Sequence, residues 1–174
     1  MADCEPEGHR FMDLRVPEYA YMFGFLQADG HLSQQSRQRG RLTVELNELG
    51  LPYGHKSRTV APPHGDFSPR DYLRGVIDAD GSVGYTSKGF PFISLTTAST
   101  AIGTYLCGYA REITDAERNI KRNARDAIYN ILYTNENAQK LAADLYYSDC
   151  LALERKKSAA DSLRCPAGRH EGRA

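Results

Sequence analysis

Two aspartates, Asp29 and Asp80, close the same nine-residue pattern at two places in the chain. The first copy is Met22-Phe23-Gly24-Phe25-Leu26-Gln27-Ala28-Asp29-Gly30; the second is Leu73-Arg74-Gly75-Val76-Ile77-Asp78-Ala79-Asp80-Gly81. Each acid falls at the C-terminal end of an expected helix, where a carboxylate opposes the helix dipole by about 0.3–1 kcal/mol. If the helices pack side by side, the two carboxylates also repel each other. A divalent cation removes both penalties. Two converging acids therefore suit Mg²⁺, or a similar ion such as Mn²⁺, which takes a few carboxylates, water and phosphate oxygens. A helix stop with an acid in the following turn would explain one copy, but not two that share Gly, Ala, Asp and Gly. A calcium loop starting at Asp78 needs Gly at its sixth position and Glu at its twelfth. Those positions hold Val83 and Gly89, which excludes it.

The elements that must carry these acids are legible nearby. Pro17-Glu18 precedes the first copy and Ser68-Pro69-Arg70-Asp71 the second, and such runs start helices. Helices are expected over about 17–29 and 69–80. Gly24 and Ala28 are four apart, as are Gly75 and Ala79, so each pair shares a helical face. Glycine inside a helix costs about 0.5–1 kcal/mol relative to alanine. Its use twice at the same place predicts close backbone contact through Gly24, Ala28, Gly75 and Ala79. Phe25, Leu26, Val76 and Ile77 supply apolar faces for two flanking cores.

With these residues in view, the repeat resembles the motif of the LAGLIDADG homing endonucleases, over roughly residues 17–160. That resemblance implies an α+β fold of two αββαββα halves joined through the motif helices, with a saddle of antiparallel strands on double-stranded DNA. It implies Mg²⁺ held by Asp29 and Asp80, cutting of both strands across the minor groove, and a lysine from a basic segment near each active site. Lys56 and Lys156 match those lysines. A relative of this kind would be a monomer in the cytoplasm or an organelle interior, serving a mobile element.

The remaining chain fits unevenly. Residues 1–16 read as an acidic flexible leader and residues 162–174 as a disordered tail. His31 to Asn47 reads as a hairpin whose second strand, Arg41 to Asn47, alternates cleanly. Leu42, Val44 and Leu46 point one way. Arg41, Thr43, Glu45 and Asn47 point the other, with Arg37 and Arg39 just before. Such side chains suit base edges in a major groove, as well as a solvated sheet face. Residues 59–68 read as a linker. In the second half, strands are expected at 82–85 and 91–97 around Lys88, and a helix over 100–112 capped by Ser99. A second hairpin of 117–121 and 127–133 carries Arg118, Lys121, Arg122 and Arg125, a cluster suited to phosphates. A helix capped by Asn135 and a closing basic helix from Leu151 follow.

The halves are unequal. Lys156 follows Asp80 by 76 positions, whereas Lys56 follows Asp29 by 27, a difference of 49. The chain thus divides into a truncated first half, 17–58, and a complete second half, 69–161. The short half should leave Phe23 and Phe25 without their usual cover and favour dimerisation.

Composition sets the remaining bounds. The chain has 174 residues, is 41% hydrophobic and 25% charged, and carries 22 basic against 22 acidic residues. Zero net charge argues against binding nucleic acid through overall charge and leaves only local patches. No apolar run approaches a membrane span, so no membrane partner is expected. Cys4, Cys107, Cys150 and Cys165 form no Cys-x-x-Cys pair, which reads as reduced thiols. The five histidines are spread too widely for a zinc or catalytic set. The closing Gly-Arg-Ala lacks the His-Asn pair of a splicing domain, so intein splicing is not expected. Two functions remain: a metal-dependent DNA endonuclease, or a DNA-binding protein of the same fold without cleavage.

Overall fold

The computed structural model describes residues 12–30, 46–54 and 57–164. Its centre is the pair of motif helices, α1 (Pro17–Asp29) and α2 (Pro69–Asp80), whose mutual packing is the most extensive among the described elements. After α2 the chain runs β1 (Gly81–Tyr85), β2 (Pro91–Thr97), α3 (Thr100–Thr114), β3 (Tyr129–Thr134), α4 (Asn135–Leu145) and α5 (Glu154–Arg164). The strands form one antiparallel sheet in the order β1-β2-β3. The architecture is α+β, as expected.

Period-two alternation gives the sheet one buried face. Ile93 and Leu95 of β2 and Tyr129, Ile131 and Tyr133 of β3 point inward. They share a core with Ile102, Leu106 and Ala110 of α3 and with Ala138, Leu141, Ala142 and Leu145 of α4. Register pairs Ser82 with Ser94 and Ser94 with Leu132, so these residues lie on the opposite face. The β1–β2 turn closes through Thr86 N–H to Phe90 O at 2.8 Å and Gly89 N–H to Thr86 O at 2.9 Å. Gly89 has φ of 78°, a left-handed conformation that favours glycine. Ser99 caps α3 as expected, accepting the Ile102 N–H at 3.1 Å.

Several expectations are corrected. Leu46 to Glu48 are helical rather than extended, and the Asn47 side chain donates to Leu51 O at 3.0 Å. Asn47 therefore fastens a helix end and does not belong to a DNA-facing strand. The rest of the expected 31–47 hairpin lies outside the described residues, including Arg37, Arg39, Arg41, Thr43 and Glu45; Lys56 lies outside them too. The leader is not free over its whole length, because Met12 and Leu14 are buried. Residues 59–68 are more than a linker: Val60 is buried and Phe67 packs on Tyr72 with ring centroids 5.4 Å apart. Phe23, expected to lack cover, is 0% exposed, while Phe25 is half-buried. Met12, Leu14, Leu46, Leu51 and Val60 belong to the same core as Phe23.

The second half departs from expectation at one hairpin. Residues 117–121 do not form a strand, and a single bridge joins Arg122 to Tyr129. The turn closes on itself through Asn123 N–H to Ile128 O and Ala127 N–H to Asn123 O, at 2.7 and 2.9 Å. Arg122 then ties it to the helix side, donating to Tyr129 Oη, Ala127 O and Thr100 Oγ1. Helix α4 begins at Asn135 itself, with Thr134 at the cap position. Helix α5 starts at Glu154 rather than Leu151, because Leu153 N–H is held by a buried carboxylate on α2, Asp78, at 2.7 Å. It runs to Arg164 with Leu163 fully buried, so residues 162–164 are not part of a tail.

Candidate functional site

The repeat folds into a helix pair with quasi-twofold symmetry. Equivalent positions are 51 apart, the separation of Asp29 and Asp80. A Cβ built on Gly24 would strike the carbonyl oxygen of Tyr72, and one on Gly75 would strike the carbonyl of Tyr21. Tyr21 and Tyr72 are equivalent residues, so each glycine receives the backbone of the other helix at the same place. Ala28 and Ala79, the other small residues expected at the seam, are half-buried. The tyrosine side chains repeat the symmetry. Tyr21 Oη donates to Asp78 Oδ2 at 2.9 Å, and Tyr72 Oη donates to Gln27 Oε1. Gln27 and Asp78 are again equivalent positions.

This packing brings the two motif helices together and leaves both Asp29 and Asp80 exposed at their C-terminal ends. The glycines that follow are extended rather than left-handed, with φ of −71° at Gly30 and −103° at Gly81. They are required by space instead: a Cβ on Gly81 would lie 2.7 Å from Ile77 O. Asp80 lines a cavity of about 300 Å³ together with Gln27, Ala28, Val60, Thr96 and Thr97. The cavity thus touches both motif helices and the second strand.

Among the described residues no group of three or more His, Cys, Asp or Glu side chains gathers into a metal site. The donor chemistry at the helix ends is a pair of exposed carboxylates, which fits a hydrated hard cation that keeps most of its waters. It does not fit a closed zinc or calcium cage.

Lys156, matched to the catalytic lysine by resemblance, is 4% exposed. Its Nζ donates to Ile77 O, Asp78 O and Gly81 O at 2.6, 2.7 and 2.8 Å. Burial lowers its pKa from the usual lysine value, opposed by the nearby Asp78 and Asp80 carboxylates.

Behind the helix end lies a buried polar network that the sequence reading did not single out. Asp71, Arg74 and Asp78 occupy one stripe of α2 at helical spacing, and all are buried. Arg74 Nε donates to Leu151 O at 2.8 Å and Nη1 to Leu145 O at 3.0 Å. Its Nη2 sits 2.6 Å from Asp71 Oδ1, as an ion pair not aligned into a hydrogen bond. Asp71 also accepts from Ser68 Oγ and Tyr147 Oη, at 2.5 and 2.8 Å. Asp78 accepts from Tyr146 Oη at 2.7 Å as well as from Tyr21. Burial, then the adjacent Asp78 carboxylate, raises the pKa of both Tyr21 and Tyr146 and keeps them as donors. The available signal was the 51-residue offset, which aligns Tyr21 with Tyr72 and Gln27 with Asp78.

The outward sheet face carries Ser82, Ser94, Thr96, Asn130, Leu132 and Thr134 but no charge. Thr96 Oγ1 donates to Asn130 Oδ1 at 3.1 Å. The expected basic contacts lie around this face rather than on it. Lys88 is exposed in the β1–β2 turn, and Lys121 is exposed before the Arg122 bridge. Arg125 is exposed and sits 3.3 Å from Asp126 Oδ1. Arg118 and Arg122 lie over the rings of Tyr133 and Tyr129 at 5.0 and 4.8 Å. Those tyrosines point inward, so the two arginines line the helix side of the β3 edge. Among the described residues no helix is long and apolar enough to cross a membrane. Cys107 and Cys150 are free thiols.

No protein-family model matches the chain, and no curated protein matches it.

Proposed function

We propose that the chain is a metal-dependent DNA endonuclease of the LAGLIDADG type, hydrolysing phosphodiester bonds of double-stranded DNA. The observation that carries this reading is the quasi-twofold seam at Gly24 and Gly75, which presents two exposed carboxylates, Asp29 and Asp80, at equivalent helix ends. Duplex DNA has its own local twofold symmetry, and paired acids at equivalent positions suit its two strands. Asp29 and Asp80 would hold Mg²⁺, or Mn²⁺ in its place. Such an ion, when bound, stabilises the attacking and leaving oxygens of a phosphodiester. Around it the chain supplies position: the uncharged face with Ser94, Thr96 and Asn130 offers donors and acceptors to base edges, and Lys88 and Lys121 reach phosphates. A soluble monomer acting inside a cell or organelle accords with this reading.

The burial of Phe23 supports a monomer over the dimer that a bare first helix would favour. A second reading is a DNA-binding protein of the same fold that does not cut. It is favoured by Lys156, whose three ammonium hydrogens are all given to backbone carbonyls. A plasmid nicking assay separates the two. The endonuclease reading expects nicked or linear plasmid with Mg²⁺ and none with EDTA; intact plasmid under both conditions, with retained gel-shift binding, leaves only the binder.

A further inference from the structure

The lysine of the closing helix is placed where it can shape the metal end of α2 without touching a substrate. Ile77 and Asp78 belong to the last turn of α2, where helix carbonyls run out of backbone partners. Ile77 O already accepts the Gly81 N–H. Lys156 Nζ adds a second hydrogen bond there and reaches the carbonyls of Asp78 and Gly81 on either side of Asp80. An ammonium has three donors and no acceptor, so three short bonds use all of it. Its positive charge also sits at the negative end of the helix dipole, where Asp80 is otherwise unfavourable. The neighbouring Lys157 is turned elsewhere, toward Asp161 at 3.1 Å.

We propose that Lys156 is a positioning residue: its ammonium clamps the C-terminal end of α2, fixes the bearing of Asp80, and takes no part in proton transfer. The clause about Asp80 rests on the endonuclease reading; the clamp itself does not. It also explains why the closing helix returns to the motif across 75 residues of chain.

The test uses the full chain with Lys156→Met and Lys156→Arg. Loss of the clamp is expected to speed amide exchange at Gly81 about tenfold or more relative to wild type. Mn²⁺ affinity, read by electron paramagnetic resonance without DNA, should weaken about tenfold, and cleavage should recover in part at high Mn²⁺. Arg should not restore either, because a planar fork cannot converge on three carbonyls in a space shaped for an ammonium. Native exchange at residues 77–82 and native Mn²⁺ binding, with cleavage lost, would overturn the proposal and put Lys156 in the chemistry. If Lys156→Met does not fold, the wild type still decides. Its Lys156 ammonium hydrogens should give a slowly exchanging nitrogen–proton signal, and rapid exchange with solvent would overturn the clamp. Should the wild type neither bind Mn²⁺ nor cleave, the endonuclease reading falls, while exchange rates and the ammonium signal still decide the clamp.

Discussion

Single side chains divide into those that would meet the substrate and those that hold the others. Asp29 and Asp80 are exposed, so neutralising them should leave the core undisturbed and, on the endonuclease reading, remove metal affinity. Asp80→Asn and Asp29→Asn are each expected to lower cleavage about a hundredfold or more, with gel-shift affinity within a few-fold. Normal cleavage by Asp80→Asn with Mg²⁺ would remove it from the catalytic set. Arg74 is the opposite case, with no exposed surface. Truncating it strands Asp71 in the core, and breaking a buried pair in this way costs about 3–5 kcal/mol. Urea denaturation of Arg74→Met should show a loss of that order. The double variant Arg74→Met/Asp71→Asn should be less damaged than the sum of the two singles. Additive losses would mean that the pair is not coupled.

At the scale of elements, the helix seam makes the sharpest claim. A Cβ on Gly75 meets backbone, the Tyr21 carbonyl and Phe25 N at 2.8 Å, and backbone cannot rotate away. Gly75→Leu should therefore lower stability by about 1–3 kcal/mol or more. Beyond its chain neighbours and the backbone of its own helix, nothing lies within 4 Å of a Cβ built on Gly108, inside α3. Gly108→Ala should raise stability by about 0.4–1 kcal/mol. Thermal melts of the two variants should move in opposite directions. The seam was readable because small residues at spacing four, twice over, have few other uses. Both motif helices, β1, β2 and the Ser99 cap were readable for similar local reasons. What escaped the sequence reading was set by distant partners. Asp71, Arg74 and Asp78 look like a solvated stripe until Tyr21, Tyr146, Tyr147 and Leu145 are brought against them. Residues 117–121 hold one apolar side chain, Ile120, too few to fix a strand face, and Arg122 bonds to Thr100 and Tyr129 on the helix side instead of extending the sheet.

For the molecule as a whole, zero net charge means that any DNA affinity must come from local placement. Recognition and attraction are then separable. Lys88→Ala, at the rim of the sheet, should weaken binding to all duplexes alike and reduce the salt slope by about one unit. Asn130→Ala, on the uncharged face, should change base preference at its contact, worth about 1–3 kcal/mol, and leave the slope unchanged. Fluorescence titrations over a salt series would read both. A salt-independent affinity would argue against this surface. The motif helices also bind the two parts of the chain into one unit, since Tyr21 and Asp78 are 57 residues apart and share a buried bond. Unfolding should accordingly be a single transition.

The symmetry of the helix pair breaks in hydrogen-bond polarity at Gln27 and Asp78. Gln27 gives its Nε2 hydrogens to Gly50 O and Ala61 O, whereas its equivalent Asp78 receives hydrogens from Tyr21, Tyr146 and Leu153. The first site sets two acceptors beside one donor, Tyr72, whereas the second presents three donors. An aspartate carried into the first site would face two carbonyls with nothing to offer them, and a glutamine carried into the second would press an amide against donors. The repeat is thus a lock whose two halves were cut to opposite polarity. Swapping Gln27 and Asp78 alone would leave both sites mismatched, so the two copies of the repeat are not interchangeable at this position.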